Sequence, residues 1–178
     1  SLIRQMVDLK NQGKEIIIVT SGAISAGRGK LDLDEAADTI PAKQALAAVG
    51  QGLLMKIYEK IFGEYGYTLA QILLTKGDIT ERKRYLNSRN TLFKLLDYGI
   101  IPVINENDTV AVDEIKFGDN DTLSALVATL VDADLLVILS DVEGIYTNDP
   151  REDETAELIS KVDDITAELE ELAGGAGT

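Results

Sequence analysis

The 178-residue chain has no cysteine, no histidine and no tryptophan, and only three prolines. Without His or Cys there is no imidazole base, no thiolate nucleophile and no zinc site of the usual nitrogen and sulfur type. Ser-His-Asp and Cys-His mechanisms are excluded with them. The missing cysteines also fit a reducing compartment. Positive charge is scarce: 17 Lys and Arg stand against 31 Asp and Glu, a net charge of −14. Nonspecific nucleic-acid binding needs the opposite balance, because it rests on neutralising phosphates with cations. Long apolar runs are missing too. No stretch reaches the roughly 20 residues that cross a bilayer, and no signal peptide is visible. The expected location is the cytoplasm, with neither nucleic acid nor membrane as a partner.

What is present is ordinary globular material, 45% hydrophobic and 27% charged, of a length that suits one domain. Leu2, Ile3, Met6, Val7 and Leu9 have helical spacing and Gly13 stops them. Residues 16–19 are a continuous β-branched run, which predicts a strand buried on both faces, as in parallel sheets. Pro41 opens a long apolar helix over residues 41–62. A strand at 68–73, a helix at 81–97, a strand at 100–104, a helix at 122–130 and a fourth buried strand at 135–139 continue the alternation. The acidic segment 152–171 reads as a solvated face with a short strand near residue 158 and a helix near 167–172. This order predicts an α/β sandwich around a mainly parallel sheet, with ligands outside the carboxyl ends of the strands.

Four polar loops fall at those ends. Residues 20–27 (TSGAISAG) offer backbone N–H groups to an anion at a helix start, or simply a Gly-rich turn for close packing. Gly22 and Gly27 have P-loop spacing, but Arg28 and Gly29 stand where Lys and Ser or Thr are required, so that motif fails. Residues 105–109 (NENDT) suit either an amino-group site or Asx-turn punctuation. In residues 117–122 (FGDNDT), one residue can cap the helix. The remaining two carboxylates and an amide suit an ammonium, lysine side chains or water-bridged Mg²⁺. The Glu that an EF-hand needs downstream is absent. Residues 140–151 (SDVEGIYTNDPR) offer polar ligand contacts at Ser140 and Asp141, an apolar wall at Tyr146, or a tight surface loop. No protein metal centre is predicted.

At these residues the chain resembles the amino acid kinase family. The carrying segments are IVTSGAISAG at 18–27, QALAAVGQG at 44–52, INENDT at 104–109, FGDNDTLSA at 117–125 and LSDVEGIYTNDPR at 139–151. Within the family it is most similar to members that phosphorylate the γ-carboxylate of L-glutamate with ATP and Mg²⁺, the first step of proline biosynthesis. The resemblance implies a three-layer αβα sandwich, a single domain over residues 1–178 and a homo-oligomer. Carried over residue by residue, Ser21, Gly22 and Ala23 would hold glutamate, with Asn105, Asp108 and Asn120 at its amino and carboxylate ends. Asp121 would organise catalytic lysines, and Ser140 and Asp141 would contact ATP. Feedback inhibition by L-proline would act around Asn105 and Asp119. The alternatives are a family member acting on acetylglutamate, aspartate, carbamate or a nucleoside monophosphate, or a noncatalytic amino-acid-binding fragment. The family's N-terminal strand with a Lys and Gly-Ser, and its C-terminal Lys-bearing ATP loop, have no counterpart here; Lys76 and Lys116 fall in neither. The expectation is an interior fragment that does not turn over alone.

Overall fold

The computed structural model describes residues 2–32, 39–111, 120–140, 142–167, 169–170 and 172. They divide into two compact units, Ser1–Leu136 and Val137–Thr178. In the first, α1 (Leu2–Asn11) turns into β1 (Ile18–Val19) through Gly13, whose φ of +85° suits only glycine. Helices α2 (Ala23–Leu31) and α3 (Ile40–Gly63) follow. Thr39 starts α3 by accepting the Ala42 amide on its hydroxyl, with Pro41 in the first turn where its missing N–H costs nothing. Then come β2 (Leu69–Leu74), a short α4 (Lys76–Thr80), α5 (Arg82–Asp97), β3 (Ile101–Glu106) and α6 (Asn120–Leu130).

The three strands form a parallel sheet in the order β1-β3-β2. Ile18 pairs with Val103 and Val19 with Ile104, while Leu69 through Leu74 run beside Ile101 through Glu106. The central β3 is buried along all six residues, as a strand covered on both faces should be. Alternation along the strands then builds two cores. On one face Ile16, Ile18, Ile101 and Val103 pack with Val7 of α1 and Phe62 of α3. On the other, Ile17, Val19, Ile104 and Leu74 pack with Leu92 of α5 and Leu123, Val127 and Leu130 of α6. Helices thus cover both faces of a parallel sheet, the predicted αβα arrangement.

The second unit holds an antiparallel pair, β4 (Ile145–Tyr146) with β5 (Leu158–Ile159), in the register Ile145 to Ile159 and Tyr146 to Leu158. The expected strand near residue 158 is present. The fourth buried strand is not: residues 135–139 have no strand pairing, and Leu135, Val137 and Leu139 are 77%, 66% and 64% exposed. Composition marks such a run as able to be buried, but burial itself requires a neighbour across the ladder and layers above and below. Among the described residues no strand supplies that ladder.

Candidate functional site

The carboxyl ends of β1 and β3 are tied to the start of α6. Thr20 extends β1 by donating its amide to the Ile104 carbonyl at 2.9 Å. Asn120, the first residue of α6, donates from Nδ2 to the Thr20 carbonyl and, at 2.9 Å, to Oδ1 of Asn105. That same Oδ1 accepts the Glu106 amide at 2.8 Å, and Asn105 is buried at 3% exposure. Three of the polar loops therefore converge on one small network. Both Asn120 amide protons are thereby committed.

Beside this network Ser21 and Gly22 are exposed and Ala23 is buried. Gly22 caps α2 with φ +89°, a left-handed conformation that a side chain would strain, and among the described residues no side chain caps the helix. Its first-turn N–H groups leave the N-terminus as a locally positive surface. Thr20 is held from the other side by its hydroxyl, 2.9 Å from the Tyr58 hydroxyl on α3.

The loop after β3 divides its labour. Asn107 donates its amide to the Leu74 carbonyl at 2.8 Å and accepts the Val110 and Ala111 amides on its own, while its Oδ1 accepts the Thr109 hydroxyl. Asn107 and Thr109 build the turn, and half-buried Asp108 lines a shallow open depression with Ile24, Ile40, Lys43, Gln44 and Ala111. Asp121 is exposed in the first turn of α6, where a carboxylate complements the helix dipole.

In the second unit Ser140 is exposed and its hydroxyl oxygen accepts the Val142 amide at 3.5 Å. Asn148 and Asp149 bond within their own loop: Asn148 donates to Asp153 and Asp149 accepts the Arg151 amide. Hydrogen bonds from the Thr155 hydroxyl and amide, then from Asn148, hold the Asp153 carboxyl below its ordinary pKa. Asp119 and Asp141 lie outside the described residues.

The profile of the amino acid kinase family matches residues 1–178. The chain belongs to the amino acid kinase family. It is 60% identical over 177 residues to the glutamate 5-kinase of Caldanaerobacter subterraneus subsp. tengcongensis, covering 99% of this chain and 48% of that protein. It is 59% identical to the glutamate 5-kinase of Carboxydothermus hydrogenoformans, covering 99% of this chain and 47% of the relative, and 59% identical to that of Clostridium tetani, covering 99% and 66%. The chain spans about half the length of the first two of these relatives.

Read from its motifs, an amino acid kinase chain gives no individual role to the residues that hold other site residues: Thr20, Tyr58, Gln44 and Gln51. The last three all lie on α3. Their signal is polar atoms at inward positions of an Ala-rich and Leu-rich helix, visible only once the inward face is known.

Proposed function

We propose that this chain carries the acceptor site of an enzyme that transfers the terminal phosphoryl group of MgATP to the γ-carboxylate of L-glutamate, giving L-glutamyl 5-phosphate. The observation that carries this reading is the convergence of Thr20, Asn105 and Asn120 at the carboxyl ends of β1 and β3, next to the uncapped start of α2. The relatives' shared name, glutamate 5-kinase, supports the choice of acceptor. Both units are read as parts of one kinase domain.

A γ-carboxylate is ionised at neutral pH and attacks phosphorus without a general base, so a chain with no histidine is not handicapped. Its task is to hold and aim the nucleophile. The N–H groups at the start of α2, with Ser21, Gly22 and Ala23, suit a carboxylate. Asp108, with Asn105 and Asn120, suits the ammonium and the second carboxylate. Asp121, exposed in the first turn of α6, is assigned to orient lysine side chains, and Ser140 and Asp141 to the nucleotide. Mg²⁺, when bound with ATP, neutralises the phosphates through their oxygens. L-Proline is read as a competitor near Asn105 and Asp119, the protein as a cytoplasmic homo-oligomer.

Calorimetric titration of this chain with L-glutamate, L-proline, N-acetyl-L-glutamate and MgATP tests the reading. Binding of L-glutamate, displaced by L-proline and not matched by the acetylated compound, is expected. Preference for N-acetyl-L-glutamate would reassign the acceptor, and no amino-acid binding by folded protein would overturn the site.

A further inference from the structure

Helix α3 carries two glutamines seven residues apart, Gln44 and Gln51. Seven residues are close to two turns, so both lie on one face of the helix. Gln51, buried at 6% exposure, donates from Nε2 to the carbonyl of Glu106, the last residue of β3, at 3.4 Å. Gln44, half-buried, donates from Nε2 to the carbonyl of Ala111 at 3.2 Å. The two accepting carbonyls bracket residues 107–110, the turn that carries Asp108. Gln44 also lines the Asp108 depression. Burying an amide side chain costs desolvation that a Leu or Met would avoid, unless its hydrogen bond is made. Here both amides bond main-chain oxygens at the two ends of one turn, which has the logic of placement rather than of packing.

We infer that Gln44 and Gln51 are positioning residues, a two-point clamp from α3 that sets the turn carrying Asp108 at the proposed acceptor site and thereby the affinity for the ammonium group of an α-amino acid. This rests on the reading of Asp108 as a substrate residue. Glutarate, the same dicarboxylate without the ammonium, gains nothing from Asp108 and serves as the internal control.

The test is calorimetric binding of L-glutamate and of glutarate to the wild-type chain, Gln44→Met, Gln51→Met, Asp108→Asn and the Gln44→Met/Asp108→Asn pair. Each glutamine variant is expected to weaken L-glutamate about 5- to 20-fold and to leave glutarate within about twofold, while the paired variant binds L-glutamate no more weakly than Asp108→Asn alone. Amide hydrogen exchange at Val110 and Ala111 should quicken in Gln44→Met without any ligand. Unchanged L-glutamate affinity in both glutamine variants, with Asp108→Asn weakened, overturns the clamp and leaves the acceptor site standing. Equal losses for both ligands, or losses additive with Asp108→Asn, also overturn it, since they report a general loss of structure. No effect of Asp108→Asn removes the substrate role of Asp108 and the clamp with it. If Gln51→Met does not fold, Gln44→Met carries the comparison alone.

Discussion

Gly50 of α3 lies against the carbonyl of Ala23, the first residue of α2: a Cβ at Gly50 would overlap that oxygen and come within 2.7 Å of the Gly27 amide nitrogen. Gly27 meets the opposite constraint, since a Cβ there would overlap the Leu46 carbonyl and lie 2.8 Å from its carbon. The two helices touch backbone to backbone. Because Ser21 and Gly22 lead directly into α2, this contact fixes where the first-turn N–H groups of the site are placed.

Gly50→Ala must therefore push α2 away from α3. The expected cost is about 1–3 kcal/mol, the usual range for overpacking, read from urea unfolding, together with weakened L-glutamate binding. Gly52 is the control two residues along the same helix. Nothing lies within 4 Å of its added Cβ, so Gly52→Ala should stabilise by about 0.5–1 kcal/mol through helix propensity. Equal effects at the two glycines would contradict the packing argument.

Asn120→Asp replaces a donor to two oxygens with an acceptor facing both. The Thr20 carbonyl and Asn105 Oδ1 lose their partner, and a carboxylate at neutral pH repels each of them. A loss of about 1–3 kcal/mol is expected, the range for leaving buried polar groups unsatisfied. Urea unfolding at pH 7 measures it. Asn120→Ala, which removes the donor without adding charge, should cost less; the reverse order would show that the bridge does not hold the loops.

Much of this was legible in the residues. The β-branched run at 16–19 and the apolar stretches around β2 and β3 predict strands because their side chains suit a ladder covered on both faces, and that is where the sheet lies. Residues 135–139 have the same composition and are exposed coil, since a pattern states what can be buried and not whether a partner arrives. The predicted helix at 81–97 missed α4, although Thr75 and Asp78 already had the spacing of a capping box. In the site, Asn105 and Asn120 stand out as polar residues at strand and helix ends, yet their direct contact spans fifteen residues of sequence. The overlap between Gly50 and Ala23 leaves no trace in composition, because a glycine at a close approach looks like any other glycine.

The α4 cap has a pH signature. Burial pushes the Asp78 carboxyl up, but hydrogen bonds from the Thr75 hydroxyl at 2.6 Å and amide at 2.7 Å, with the Arg84 guanidinium, outweigh it and leave the pKa lowered. A carboxyl whose folded-state pKa is depressed contributes stability above its unfolded pKa and loses it as pH falls through the folded one. Wild type should exceed Asp78→Asn in urea stability at pH 6 to 7, and the gap should narrow as the pH drops below about 4. A gap that is constant with pH would mean that the charge of Asp78 plays no part in the cap.

The exposed run at 135–139 predicts how the chain behaves at high concentration. Leu135, Leu136, Val137, Ile138 and Leu139 form five consecutive apolar residues with no charge or proline among them, all at least 40% exposed. Segments of high β propensity and no charge, with open main-chain groups, pair readily with other chains. Val137→Lys adds a positive charge at a side chain 66% exposed, where a surface substitution changes stability by no more than about 0.5 kcal/mol. Concentration-dependent association, followed by sedimentation velocity, should fall in this variant while the unfolding midpoint stays in place. If association is unchanged, another surface drives it; if the midpoint drops by several degrees, Val137 is packed in solution and the run is covered there.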